Sequence, residues 1–515
     1  MKRDWTSRTA LIIIGGILVV VNIIGLTLFG RIDLTDDKVY SLSDASIDLI
    51  ENLEDPVTLK AFFTEDLPAP YINYRRFLRD KLADYRAYGG ANIQYEFVDP
   101  AEDEELQDEA NRFRIPPVQI QVIESDNVQL KNAYMGLSIQ YAGKREVIPV
   151  VQDLSTLEYD ITSAIRRLSI DELPVVGFLT GHGEPPARQA MGNFYNQVSR
   201  NYTPKDITVN DSLPMLSENP EALLIIAPTD SFPPHHLQAI DSYLVQGGKV
   251  GVLINRVDAN LQNGQASVLD TGLESLLAQY GATVSPNLLM DKQSSAITVQ
   301  RQQGFFNIAQ QIEYPFLPVA TNFNTESMMV NRLSNIVFYF ASTIDTSAVV
   351  PSGITREPLI YSSSRSQLQE GFFMLQPEVA QQSALNEGPF LIGAAYTGSF
   401  PSFFGEPNTS DQGRLLVIGD GDFLNESIMG AIPGNIELGL NMVDWMIQDE
   451  ALLSIRSKKI EPRTLGETPE GVRPWVKNIN LLGPIVLIVL FGLFRWRQRK
   501  ARQIVFQAEI QNMNA

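Results

Sequence analysis

The chain of 515 residues has no cysteine. That excludes disulfides, thiolate metal sites and a cysteine nucleophile. It suits an oxidising compartment but does not require one. Histidine is almost as scarce: only His182, His235 and His236 occur, so a multi-histidine metal centre would need nearly all of them. Positive charge is under-represented. Forty Lys and Arg face sixty Asp and Glu, for a formal net charge of −20, which argues against a nucleic-acid partner. There is no Walker A loop, so the chain does not hold ATP in that way, and no His-Glu-x-x-His pair. A Gly-x-Ser-x-Gly nucleophile elbow and the acidic spacing of an EF-hand are also missing.

Two long apolar stretches are present. Thr9 to Gly30 is 22 residues without a charge, long enough to span a bilayer and longer in its apolar core than a signal peptide. Ile479 to Phe494 is shorter and contains Pro484, but Trp475 and Trp496 bracket it and a basic run follows, as at a membrane interface. A buried core helix is the plainer reading of this second stretch. Lys2, Arg3 and Arg8 flank the first stretch; Arg495, Arg497, Arg499, Lys500 and Arg502 flank the second. By the positive-inside rule both termini are cytoplasmic. The flanks hold eight basic and two acidic residues, leaving 32 against 58, a balance of −26, for the body between. Gly15, Gly16 and Gly25 offer close-packing surfaces, although glycine is frequent in membrane helices anyway.

The body divides in two. From residue 31 to 172, a capped helix ("SLSDASIDLIENL", with Ser43 or Asp44 as cap) precedes strand, helix, strand, helix, strand and a hairpin turning at Ala142-Gly143. That order resembles the thioredoxin fold. The resemblance places Pro117 of "RIPPVQIQV" at that fold's cis-proline position, and Thr64-Glu65-Asp66-Leu67 where thioredoxins carry Cys-x-x-Cys. Without thiols it implies a binding or structural module rather than a redox enzyme.

From 173 to 460, continuous apolar strands ("PVVGFL", "EALLIIAPT", "KVGVLI", "GRLLVIG") alternate with helices, which predicts an α/β doubly wound parallel sheet covered on both faces. A Ser-, Gln- and Asn-rich stretch, about 295–412, reads as an insertion. Residues 461–478 read as a linker, 479–494 as the second membrane helix and 495–515 as a basic cytoplasmic tail. In an open parallel sheet, ligands sit at the carboxyl ends of the strands. Two glycine turns fall there: Thr180-Gly181-His182-Gly183-Glu184, and the turn carrying Asp420 and Asp422. These seven residues are the candidate ligand-binding set. The plainer reading is that the glycines make tight turns and the acids cap helices. A mixed nitrogen and oxygen metal site from His182, Glu184, Asp420 and Asp422 is chemically possible, but the spacing matches no metal motif, and no metal or cofactor is assigned. His235-His236 reads as a solvated helix cap. Arg456 near the end of the body either pairs with acids at its base or is solvated.

Five segments in order, "IDLTDDKVYSLSDAS", "VGFLTGHGE", "GLESLLAQYGATVSPNLLMD", "LLVIGDGDFLNE" and "NMVDWMIQDEALLSIRSK", resemble the GldG family, the auxiliary membrane component of gliding-motility-type ABC transport systems. The resemblance implies a flavodoxin-like, amidotransferase-related domain, also seen in an intraflagellar transport protein. It also implies a non-catalytic subunit working beside a separate ABC permease and a separate ABC ATP-binding chain at the bacterial inner membrane. Amidotransferase activity needs a cysteine that this chain lacks. Gliding itself and the transported substrate are not implied. Two alternatives stay open: a membrane-tethered scaffold holding an envelope polymer or protein without a transporter, and an extracytoplasmic hydrolase using His182, Glu184 and Asp422.

Overall fold

The computed structural model describes residues 41–65, 67–68, 71–101, 103–124, 127–210, 212–261, 264–303, 306–377, 385–407, 409–448, 453 and 455 of the body. Of the expected membrane helices, linker and tail it describes 13–14, 16–17, 477–478, 480, 482–483 and 488–500. Most of Thr9–Gly30, most of the linker, Trp475, Arg456 and the tail beyond 500 lie outside the described residues. Residues 1–459 form one compact unit and 460–515 another. In the second, the described residues are helical, with Ile488, Leu490, Phe491 and Trp496 exposed. Among the described residues no helix is long and apolar enough to cross a membrane.

The first region opens with α1 (Asp44–Glu51), whose cap is Ser43: its side chain accepts from the Ser46 N–H, satisfying an orphan donor of the first turn. Then follow β1 (Val57–Phe63), α2 (Ile72–Gly89), β2 (Ile93–Val98), α3 (Glu104–Arg112), β3 (Val118–Glu124), β4 (Asn127–Ala133), β5 (Met135–Tyr141), β6 (Lys144–Ile148) and α4 (Leu157–Ser169). The sheet order is β2-β1-β5-β6, with β1 and β2 parallel and β5 antiparallel to β1. β3 and β4 pair only with each other, as a separate hairpin. This corrects the reading of Pro117. The strand after it does not enter the central sheet, and among the described residues the cis peptide is Gly388–Pro389. Met135 instead begins the strand beside β1. The core buries Leu59, Leu78, Leu82, Leu137, Ile161 and Ile165, each contributing about 1.5–3 kcal/mol of transfer free energy.

Inside that core sits a charged pair. Glu158 accepts from the Ser43 N–H at 2.6 Å and the Ser46 hydroxyl at 2.9 Å, and Lys81 Nζ lies 3.3 Å away. Tyr85 joins through its hydroxyl to Thr162 and to the Glu158 carbonyl. The cluster ties α1, α2 and α4 together.

The second region comprises β7 (Val175–Leu179), α5 (Ala187–Ala190), α6 (Gly192–Asn201), β8 (Thr203–Ile207), β9 (Ala222–Ile226), α7 (Pro234–Val245), β10 (Lys249–Leu253), β11 (Val257–Asn260), β12 (Gln265–Val268), α8 (Leu273–Gln279) and β13 (Asn287–Asp291). It continues through β14 (Ser294–Gln303), β15 (Phe306–Ala320), β16 (Asn322–Phe323), β17 (Ile336–Val337), β18 (Ile354–Tyr361), β19 (Ser366–Glu370), β20 (Leu391–Gly398), β21 (Gly413–Ile418), α9 (Glu426–Met429) and α10 (Pro433–Ile447). Eight strands form one sheet, β16-β18-β20-β21-β10-β9-β7-β8. The five from β8 to β21 are parallel, and β20 returns antiparallel. The stretch read as an insertion is therefore partly integral: β16, β18 and β20 widen the main sheet. β13, expected in that sheet, pairs with β19 instead.

Strand β9 shows why the sheet is covered twice. Leu224 and Ile226 join the core under α6 and α10. Leu223 and Ile225 join the one under α7 and α8. Alternate side chains point to opposite faces, and both faces are apolar.

Candidate functional site

Along the chain the five parallel strands run first to fifth as β7, β8, β9, β10, β21, and in space their order is second, first, third, fourth, fifth. The connections diverge between β7 and β9, and ligands of open α/β sheets bind beyond the carboxyl ends at such a switch point. The Thr180–Glu184 turn follows β7 at that place. Thr180 stays in register, its N–H donating to the Ile207 carbonyl at 2.9 Å. Gly181 and Gly183 take φ values of 116° and 80°, a region L-residues avoid. A Cβ on Gly183 would lie 2.0 Å from Thr229 Oγ1.

His182 is buried, at 2 % exposure, and points away from solvent. Its ring stacks on Phe232 at 3.8 Å. Its N–H donates to Glu184 Oε2 at 2.6 Å, and Nδ1 faces Glu184 Oε1 at 3.3 Å. Nε2 lies 2.7 Å from His236 Nδ1. In the His182–His236 bond one ring nitrogen donates and the other accepts, as their tautomers set. His235 packs edge-on against His236 at 4.3 Å. All three histidines of the chain are thus in one cluster at the start of α7, and the reading of His235-His236 as a solvated cap is corrected. Proline at the helix start supplies no N–H there, and the His236 ring turns inward to His182. The carbonyl of His182 accepts from the N–H groups of Thr229 and Asp230, each at 2.9 Å. The turns after β7 and β9 are bonded to each other, which closes the switch point itself.

The open space lies beside it. A cavity of about 220 Å³ is lined by Gly183, Thr229, Asn255, Tyr339, Asp422 and Asn425, with Asp258 at its edge. The two glycine turns do face one crevice, through Gly183 and Asp422. The rest of the expected set plays another part. Asp420 is fully buried, accepting from the Tyr339 N–H at 2.6 Å and the Asp422 N–H at 2.7 Å. Burial pushes its carboxyl well above the usual range, and the Asp422 charge adds to the rise. Asp422 Oδ2 accepts from Asn255 Nδ2 at 2.7 Å; burial raises this carboxyl too, against hydrogen bonds from Asn255 and Asn425. Burial, then Asp422 and Asp420, raise the Tyr339 phenol. Ala227 and Phe340, also on the cavity wall, hold positive φ angles of 47° and 54°, backbone strain of the kind that collects at functional sites.

Among the described residues no group of three or more His, Asp and Glu side chains is placed to hold a metal. The His182–His236 contact is spent on a hydrogen bond, and Asp420 on backbone N–H donors. At the first region's corresponding strand end, the Thr64 N–H donates to the Tyr134 carbonyl and the Tyr134 N–H to Thr64 Oγ1, each at 2.9 Å. That turn is closed by its own bonds. Sequence reasoning missed Asn255, Asp258, Tyr339 and Asn425. Asn255 was within reach, because it stands at the carboxyl end of β10 as His182 does after β7; Tyr339 comes from the stretch taken for an insertion.

Comparison with known proteins adds five findings. Residues 36–140 match a family model described as a domain of unknown function (DUF7088). An uncharacterized protein of Borreliella burgdorferi is 22% identical over 487 residues, covering 92% of this chain and 94% of that one. Among solved structures, the mmIFT52 N-terminal domain aligns with TM-score 0.34 at 12% identity, covering 53% of this chain and 97% of that one. A putative ThuA-like protein from Parabacteroides merdae aligns with TM-score 0.30 at 10% identity, covering 58% and 95%. The model of the family described as ABC-type uncharacterized transport system matches residues 173–445, the whole of the main sheet and its crevice, and the chain belongs to that family.

Proposed function

We propose that the chain is a non-catalytic auxiliary subunit of a bacterial ABC transporter of the gliding-motility type, similar to GldG. In this reading Thr9–Gly30 and Ile479–Phe494 anchor it in the inner membrane with both termini cytoplasmic. The acidic body stands outside and works with a separate permease and a separate ATP-binding chain. The carrying observation is the family match over 173–445, which coincides with the region that builds the crevice. The strand order β2-β1-β5-β6 supports a thioredoxin-like first region, and the order of the five parallel strands a flavodoxin-like second one. Binding rather than catalysis is supported by the side chains: His182 is committed to Glu184 and His236, away from the acids, amides and phenol that line the crevice.

Affinity purification of the tagged full-length protein in mild detergent, followed by mass spectrometry, tests this. Recovery of an ABC ATPase and a multi-span permease is expected. A protein recovered alone, or only with envelope proteins, rejects it.

A further inference from the structure

A second cavity, of about 570 Å³, lies between the two outer regions. Its volume falls within the roughly 300–1,000 Å³ of small-molecule sites, which favour domain interfaces. One wall is apolar: Ile436 and Leu440 of α10, with Ile455 and Val150. The three isoleucine and leucine side chains are at most 9% exposed, so the wall is fixed by core packing. Opposite charges stand across the polar side, Asp160 on α4 and Arg200 on α6. Thr156 Oγ1 donates to Asp160 Oδ2 at 3.1 Å, and the neighbouring Tyr159 hydroxyl accepts from Asn201 at 2.7 Å, so the polar side is held in place. Burial raises the Asp160 carboxyl, and Arg200 opposes that rise through space. The two charges sense each other, and both line the cavity.

We propose that this cavity binds a small zwitterion with an apolar side chain, a free apolar amino acid or dipeptide. The carboxylate meets Arg200, the ammonium meets Asp160, and the side chain lies on Ile436, Leu440 and Ile455. A guanidinium is suited to carboxylate recognition, and the pairing fixes the ligand's direction. Asp153 and Glu437 also line the cavity, which disfavours ligands of net negative charge. Such a ligand touches both outer regions at once and so strengthens their joint. The inference does not rest on the transporter reading, and the site is distinct from the crevice at Asp422.

Titration calorimetry on the full-length protein in mild detergent tests it with leucine, Leu-Leu, and Leu-Leu blocked by N-acetyl and C-amide groups. Leucine or Leu-Leu is expected to bind in the micromolar range and the blocked peptide at least tenfold more weakly. Arg200 is exposed, so R200Q changes charge without disturbing the core; it should weaken binding at least tenfold, while D422N leaves binding unchanged. The proposal is overturned by no binding up to millimolar ligand, by equal binding of the blocked peptide, by unchanged affinity in R200Q, or by loss of binding in D422N.

Discussion

Both outer regions bury charge, but they neutralise it differently. The first sets Lys81 against Glu158 in the middle of three helices. The second, besides a buried Arg256 that reaches Asp270 at 2.9 Å, surrounds other carboxylates with hydrogen-bond donors. Asp241 accepts from the Ser402 hydroxyl at 2.6 Å and the N–H groups of Phe403 and Phe404. Asp291 accepts from the N–H groups of Gln293 and Ser363 and the Ser363 hydroxyl, at 2.6–2.8 Å. An ion pair joins whole elements, and one partner can be exchanged with the other. A carboxylate ringed by N–H groups fixes the path of a loop, and no other side chain offers two acceptors in its place.

Removing one partner of the buried pair carries the largest expected effect. K81M leaves Glu158 buried without its cation, a loss of about 3–5 kcal/mol, and the double variant K81M/E158Q should recover much of it. Urea denaturation decides: if the single variant unfolds like wild type, the pair contributes nothing and the contrast fails. Next comes D291N, for which about 2–3 kcal/mol is expected from donors left facing an amide. Here no second substitution should rescue, and a charge-compensating rescue would show that Asp291 behaves as an ion-pair member. H236A should cost about 1–2 kcal/mol by leaving His182 Nε2 unpaired. Hydrogen exchange should quicken at 180–184 and 229–230 and stay unchanged in the first region; a uniform change would mean the histidine cluster is not a local tie.

The smallest effect is a pH slope. Asp420 is raised in the folded state, so the folded protein binds its proton more tightly than the unfolded chain. Its contribution is then fully present below about pH 3.9, the unfolded value, and is lost as pH rises toward the folded value. The slope cannot exceed about 1.4 kcal/mol per pH unit for one proton. D420N should flatten it, and an unchanged slope in denaturation at pH 4 to 6 would assign it elsewhere.

What was legible in the sequence follows the same division. Apolar runs bounded by turns gave β7, β9, β10 and β21 nearly to the residue, because a strand buried on both faces must be apolar throughout. Ser43 was readable as a cap because capping is local chemistry. β8 was not: "TPKDI" carries a proline and two charges, as an edge strand can, and only its neighbour β7 makes it a strand. β18 and β20 were taken for parts of an insertion, since their place beside β21 depends on a pairing of distant segments. The site divided likewise. The turns were found from strand ends, whereas the histidine cluster joins residues 54 positions apart, which periodicity does not record.

The position of β21 bears on how the protein is made. Its parallel partner β10 ends at Leu253, and β21 begins at Gly413. Some 160 residues must be synthesised between them, about 10–30 s at ordinary elongation rates. Throughout that interval the nascent chain presents an unpaired edge at β10, while the first region already has every residue it needs. The strands of the first region can pair before β21 exists. The second waits with an open template for foreign strands, and late truncations that stop before residue 418 should leave aggregating chains rather than a smaller soluble body.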